Sequence, residues 1–281
     1  INDAAALKRA DVGFAMGSGT EVAKEAGDIV VLDDNFASIA RAIRYGRTIF
    51  RSIRKFVTFQ LMMNLGAVGV SLIAPFIGTD TPVTVIQMLW INIIMDTLAG
   101  LAFAGEPALE EYMRTPPVPR KERVLDGHTA GRILWMGGYS VILSLLFLEL
   151  PFFRRFFSFA EDPVRFYTAF FALFVFMGLF NAFNARTERL NLFSHLGKNK
   201  LFVVFILLVA AVQLLLIRFG GSAFRCMPLS ARELLAVLAL SFTVIPADFL
   251  RRCAAKALRE KRKKDRGRAA SNALSPAGRR G

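Results

Sequence analysis

The stretch that decides the fold is VTVIQMLWINIIMDTLAGLAFA, residues 83–104, an apolar run of membrane-spanning length that contains one carboxylate. That residue is Asp96, and an ionised side chain near a bilayer centre costs roughly 2.5–3.5 kcal/mol on insertion scales. Asn92 precedes it by four residues, so both side chains fall on one face of a helix. The preceding run, VTFQLMMNLGAVGVSLIAPFI at 57–77, carries Asn64 at similar depth. Carboxylate and amide oxygens on adjacent spans indicate a hard-cation site, because Ca²⁺ prefers such ligands.

A purely structural role for these three side chains is the alternative. Asp96 could make a hydrogen bond between helices or belong to a buried ion pair, but no Lys or Arg lies at matching depth in a predicted span. Asn64 and Asn92 could serve as packing contacts, as membrane asparagines often do. The ligand interpretation is favoured because the three side chains occur together.

The composition is that of a polytopic membrane protein. Of the 281 residues, 54% are hydrophobic and 27 are Phe. Six apolar runs are predicted to span the bilayer, at about 57–77, 83–104, 133–152, 166–185, 201–217 and 231–250. We therefore predict a mostly α-helical fold with a six-helix transmembrane bundle, followed by a basic tail at 251–281 that is disordered toward its end.

The distribution of basic residues predicts the orientation. An even number of spans places both ends of the chain on one side, together with the 105–132 and 186–200 loops. These segments hold most of the Lys and Arg, so the positive-inside rule makes that side cytoplasmic. Cys226 and Cys253 then lie on opposite sides of a core roughly 30 Å thick, which excludes a disulfide between them.

The basic tail has two interpretations. It carries 12 Lys and Arg against Glu260 and Asp265, out of a net charge of +14 for the whole chain. Contact with anionic lipid is favoured, at about 1 kcal/mol per basic residue near the surface. A regulatory helix that binds a calmodulin-like protein is disfavoured because apolar anchors are sparse after Leu258. No nucleic-acid partner is expected.

The first fifty residues read as alternating strands and helices, which is typical of a parallel α/β sheet. Strands are predicted at 11–16 and 28–32, with a helix between them that Thr20 caps. Two strands are too few for a domain, so the rest of the sheet is expected to come from residues upstream of Ile1. A further helix is predicted to run from about Ser38 through an arginine-rich half into the first span without a break.

The sequence resembles a known family, the P-type ATPases, in its plasma-membrane calcium-pump branch. Asn2-Asp3 and the following AAALKRADVGFAMGSGTEVAKEAGDIVVLDDNF resemble the end of the phosphorylation domain after a truncated GDGxND motif. QLMMNLGAV and QMLWINIIMDTLAGLAFAGEP resemble the fifth and sixth membrane helices of calcium pumps. FNAFNAR at 180–186 and FGGSAFRCMPL at 219–229 add to the likeness.

The resemblance implies an ATP-driven pump that exports Ca²⁺ through an aspartyl-phosphate. It implies a partial α/β, HAD-like phosphorylation domain at 1–37, a stalk helix at 38–56 and a membrane domain at 57–250. Asn2 and Asp3 would lie beside the phosphorylated Asp, with Asp3 near Mg²⁺. The implied Ca²⁺ ligands are Asn64, Asn92 and Asp96.

Two departures from the two-site calcium pumps argue for one transported Ca²⁺ per ATP. Ala67 stands where those pumps place a ligating Glu, and Met95 stands where they place a Thr. Ala182, where plasma-membrane pumps often carry Glu, is a third departure that no argument explains.

The same comparison shows what the sequence lacks. The DKTG aspartate, the nucleotide-binding domain that would hold most of the ATP and Mg²⁺, and the first four membrane helices are absent. The three oxygen-bearing residues supply about four oxygens, whereas Ca²⁺ takes 6–8. We therefore expect this chain alone to neither hydrolyse ATP nor pump. It could instead be a non-catalytic membrane scaffold or the remnant of a truncated gene, or part of a pump for another divalent cation such as Mn²⁺.

Overall fold

The computed structural model describes residues 2–79, 82–119 and 122–274, and most of them are helical. Six helical stretches in this part of the chain are long and apolar enough to cross a membrane. The predicted fold class, a mostly α polytopic protein with a six-helix bundle, is confirmed.

The N-terminal residues form a small βαβ unit. Its elements are helix α1 (Asn2–Arg9), strand β1 (Phe14–Met16), helix α2 (Glu21–Ala26) and strand β2 (Ile29–Val31). The two strands are parallel, with Phe14 opposite Ile29. Thr20 accepts a hydrogen bond from the Ala23 N–H and so caps α2, as predicted. Both strands are shorter than the sequence predicted.

The stalk and the first membrane crossing are one helix. Helix α3 (Phe36–Ile73) has 38 residues, which gives a length of about 57 Å. It begins where the Asn35 side chain accepts a hydrogen bond from the Ala37 N–H. A short 3₁₀ turn (Ala74–Ile77) continues it to Gly78, whose left-handed conformation ends the crossing. The uninterrupted helix predicted through this region is therefore present.

The second crossing is not a regular α-helix. It consists of α4 (Val85–Leu89), a π-helical segment (Trp90–Met95) and α5 (Asp96–Ala104). The sequence predicted one uninterrupted helix over 83–104. An apolar run shows no local signal for the wider i→i+5 pattern, which is frequent at functional sites.

The third and fourth crossings form the centre of the bundle. Helix α6 (Gly127–Glu149) is followed by the short α7 (Pro151–Phe156) and then by α8 (Pro163–Arg186). The predicted third span extended to residue 152, but Leu150 leaves the helical conformation, because a residue before proline is disfavoured in it. Helix α8 has 89% of its most apolar window buried, and it packs against the helices on all its sides.

The last two crossings are α9 (Lys200–Phe219) and the pair α10 (Ala231–Phe242) and α11 (Val244–Leu274). The final crossing is divided at Thr243, because Pro246 has no N–H to donate to the Phe242 carbonyl. Helix α11 continues through Leu274, where the sequence predicted disorder from about Gly267. Within 267–274, three alanines together with Arg268 and Leu274 have high helix propensity, which favours continuation of the helix. Residues 275–281 lie outside the described part.

Candidate ion-binding site in the membrane

Asp96 lies at the junction where the π-helical segment passes into α5, and only 7% of it is exposed. Its Oδ2 accepts a weak hydrogen bond from Gln60 Nε2 on α3, at 3.4 Å. Its Oδ1 is buried and has no hydrogen-bond partner among the described residues. No Lys, Arg or His of the described chain forms a salt bridge with it. A buried carboxylate without a cation is costly, so this site is chemically suited to receive one.

Asn92 occupies a different environment from Asp96. It lies on the exposed side of the π-helical segment and lines a small cavity of about 20 Å³ together with Ala67, Ser71 and Phe174. Such a volume is enough for about one water molecule. The structure therefore places Asn92 beside α3 but not in contact with the Asp96 carboxylate.

Asn64 lies between these two contacts on the same stripe of α3. Gln60, Asn64, Ala67 and Ser71 are spaced by three or four residues, so they share one face of the helix. Gln60 contacts Asp96, and Ala67 and Ser71 line the cavity with Asn92. Asn64 is half-buried, and the described residues give its amide no hydrogen-bond partner. Its oxygen is thus available on the face that meets the second crossing.

Gln60 is the residue at this site that the sequence analysis missed. It lies one helical turn before Asn64 within the same apolar run, and this spacing was the signal that could have identified it. Its amide is the only side-chain partner that the described residues provide for Asp96.

The predicted catalytic pair, Asn2 and Asp3, lies at the start of α1, far from Asp96 in the sequence. The side chain of Asn2 lies outside the described part, and Asp3 is exposed. Within the described residues there is no group of three or more His, Cys, Asp or Glu side chains placed to hold a metal.

A buried ion-pair cluster joins three crossings at the end of the bundle nearest the stalk, and the sequence did not predict it. Glu106, just after α5, accepts from Lys55 Nζ of α3 at 2.6 Å and lies 3.6 Å from Arg186 Nη1 of α8. Asn199, at the start of α9, donates to the same carboxylate at 3.0 Å. The cluster fixes the end of α5, and hence the helix that begins at Asp96, against the stalk.

A second acidic side chain, Asp248 of α11, lies within the last predicted span. It is fully buried, with Arg251 Nε at 2.7 Å and Arg252 Nε at 2.6 Å. The next turn of α11 supplies both arginines, so the carboxylate is neutralised locally rather than by water. Its environment therefore differs from that of Asp96, which has no cationic partner in the described part of the chain.

Comparisons with known proteins agree with this architecture. Residues 80–254 match the family model described as "Cation transporting ATPase, C-terminus". The chain is 43% identical to plasma membrane calcium-transporting ATPase 2 of Oreochromis mossambicus over 242 residues, covering 83% of this chain and 22% of that protein. It is 42% identical to plasma membrane calcium-transporting ATPase 3 of Homo sapiens, covering 83% of this chain and 20% of that protein.

The matched part of each relative is its C-terminal region, and the chain spans about a fifth of the length of these curated relatives. The predicted family resemblance is confirmed by a family model that covers more than half of the sequence. The chain belongs to the family of cation-transporting ATPases, whose C-terminal membrane region it contains.

Proposed function

We propose that this chain forms the end of the phosphorylation domain, the stalk and the last six crossings of a plasma-membrane Ca²⁺-exporting ATPase. The relatives named above support Ca²⁺ as the transported ion. In this proposal residues 1–37 end the phosphorylation domain, 38–56 form the stalk, 57–250 form the membrane domain and 251–281 form a cytoplasmic tail.

The observation that carries the proposal is the unpaired carboxylate of Asp96. Among the described residues, one of its oxygens has no hydrogen-bond partner and the other contacts a neutral amide. A transported dication would supply the missing charge, and Asn64 and Asn92 would add neutral oxygens from the same pair of crossings. The remaining ligands would come from the part of the pump outside this chain.

The stalk provides the mechanical connection between chemistry and transport. Because α3 is one helix from Phe36 to Ile73, a movement of the phosphorylation domain would be transmitted to Gln60 and Asn64 as a rigid displacement. Formation and hydrolysis of the aspartyl-phosphate would thereby alternate the oxygen cage between tight and weak binding. Asn2 and Asp3 would act at the phosphorylation site with Mg²⁺, and ATP would be bound by domains that this sequence does not include.

A single Ca²⁺ per ATP is the proposed stoichiometry. Met95 is fully buried beside Asp96, and Ala67 lines the small apolar cavity near Asn92. Neither side chain offers an oxygen, so these two positions contribute no ligand to a second ion.

The test is Asp96→Asn in the intact pump that contains this chain. The variant should lose Ca²⁺-dependent phosphorylation by ATP and retain phosphorylation by inorganic phosphate, because only the ion site is changed. Glu149→Gln is the matched control, since that carboxylate lies at the far end of α6 with Thr79 and Arg154 as partners. Unchanged Ca²⁺ activation in the Asp96 variant would contradict the proposed ion site. A measured ratio near two Ca²⁺ per ATP in the unmodified pump would contradict the proposed stoichiometry. Repeating the assay with Mn²⁺ measures the ion preference.

A further inference from the structure

We propose that a cavity at the base of the stalk binds a phosphate-monoester dianion. The cavity has a volume of about 330 Å³, within the range of small-ligand pockets. It lies between the charged half of α3, the loop after α5, the start of α6 and the end of α8. This inference does not rest on the proposed transport function.

The lining of this cavity is strongly basic. Helix α3 contributes Arg47, Arg51, Arg54 and Lys55. The far wall contributes Arg132, Arg186 and Arg189, and the acids that line the cavity are Glu111 and Glu188.

Five of the seven cations have a carboxylate partner within 4 Å. Lys55 and Arg186 share Glu106, and Arg54 has both Glu122 and Asp126. Glu188 pairs with Arg132, and Glu111 with Arg189. All five acids are thus engaged, and among the residues that the structure describes two positive charges remain in excess.

Within the described ranges, the two lining cations without a carboxylate partner are Arg47 and Arg51, one helical turn apart. Arg47 Nη1 donates to the backbone carbonyls of Tyr112 and Thr115, at 2.7 Å each. Arg51 donates to the Thr115 hydroxyl at 3.1 Å and lies 4.4 Å from the centre of the Tyr112 ring. These contacts orient both guanidinium groups without neutralising them.

Two buried arginines in the cavity wall each have a donor without an acceptor among the described residues. Arg132 is 5% exposed and Arg186 is 1% exposed, yet the Nε–H of each has no hydrogen-bond partner among the described residues. Unsatisfied buried donors are costly. An anion with several oxygens would satisfy them, and guanidinium groups match phosphate geometry well.

The charge excess indicates which anion fits. A phosphate monoester carries about −1.5 to −2 at pH 7, with a second pKa near 6, which balances the two unpaired arginines. A phosphodiester carries only one charge and leaves one arginine uncompensated. The cavity lies where α3 passes from its charged half into the apolar run, and Phe50, Pro116 and Val118 add apolar lining. A monoester lipid headgroup and free phosphate share the required chemistry.

The experiment measures binding to the purified chain in a mild detergent. The probes are dioctanoyl phosphatidic acid, a monoester, dioctanoyl phosphatidylglycerol, a diester, and inorganic phosphate. We expect a monoester to bind at least about tenfold more tightly than the diester at pH 7.5, since one charge-assisted hydrogen bond accounts for roughly that factor. This preference should diminish at pH 5.5, where the monoester loses its second charge. Preferential binding of phosphatidic acid identifies the lipid as the source, and equal binding of inorganic phosphate identifies a soluble phosphate site.

The variants locate the site. Arg47→Gln combined with Arg51→Gln should weaken monoester binding by about tenfold or more. Arg51→Gln alone, which leaves the Arg47 contacts to the loop intact, should show a smaller loss in the same direction. Lys256→Gln combined with Lys261→Gln removes the same charge from exposed positions of α11 and should change binding less than twofold. Equal binding of monoester and diester, undiminished binding by the double arginine variant, or an equal loss in the lysine control would each overturn the proposal.

Discussion

At the scale of single residues, the contrast between two buried carboxylates is the most informative feature. Asp248 has arginines three and four residues later on its own helix, so its charge is compensated whatever the rest of the pump does. Asp96 has one amide contact and a buried oxygen for which the described residues provide no partner. Local neutralisation makes a carboxylate structural, and its absence leaves a carboxylate available for an ion.

Asp248→Asn should strongly destabilise the chain. The substitution leaves two arginines without their shared partner, and Arg252 is itself buried where it donates to the Asn184 carbonyl. Breaking a buried pair costs about 3–5 kcal/mol. We expect a clear fall in the melting temperature of the detergent-solubilised chain.

Glu149→Gln is the control for this loss, because its pair with Arg154 is more exposed and should contribute only about 0–1 kcal/mol. Equal melting temperatures for the Asp248 variant and the unmodified chain would show that the arginine pair does not stabilise the bundle.

At the scale of elements, the stalk helix is held in the membrane by close packing against α6. A Cβ added at Gly137 would lie 2.6 Å from Leu65 Cδ2, and one at Gly69 would lie 2.5 Å from Val141 Cγ2. Small residues allow two membrane helices to approach closely. This contact couples the first and third crossings, so the stalk cannot move without α6 responding.

Gly137→Ala and Gly138→Ala provide a matched test of that packing. The first should lower the free energy of unfolding by about 1–3 kcal/mol, because the added methyl group overpacks the contact with Leu65. The second has nothing within 4 Å of the added Cβ and should be neutral or stabilise by up to about 1 kcal/mol through helix propensity. Reversible unfolding in lipid nanodiscs gives both values. Equal effects at the two neighbouring positions would rule out the close approach as their cause.

At the scale of the whole molecule, α8 is the axis of the bundle and the stalk cavity lies at one end of it. The predicted topology places both chain ends and this cavity on the cytoplasmic side. The two cysteines report on that topology because both are free thiols with different surroundings. Cys253 is half-buried at the start of the tail, whereas Cys226 is buried, and its burial raises the pKa of the thiol.

A membrane-impermeant maleimide should therefore label Cys253 only from the cytoplasmic face. In inside-out vesicles at pH 7 we expect labelling that Cys253→Ser abolishes, and in right-side-out vesicles little labelling of either thiol. Cys226 should react only after denaturation, because its thiol is inaccessible and little of it is ionised. Labelling of Cys253 from the outer face would invert the proposed orientation.

The sequence by itself determined the elements whose signal is local. Six apolar runs, the cap at Thr20 and the unbroken passage from stalk to membrane follow from hydrophobic length and capping chemistry. Asp96 could be identified for the same reason, because a charge within a spanning run stands out without any knowledge of its neighbours.

Only the tertiary structure decided which polar groups meet. Gln60 reaches Asp96 across 36 residues of sequence, and Lys55 reaches Glu106 across 51. Glu106 also pairs with Arg186, and the stalk arginines line one cavity with the end of α8. The π-helical segment and the separate environment of Asn92 also depend on how the second crossing packs on α3. Contacts of this kind follow from the arrangement of the helices in the bundle, and an apolar sequence pattern specifies that a helix is buried but not which neighbour it faces.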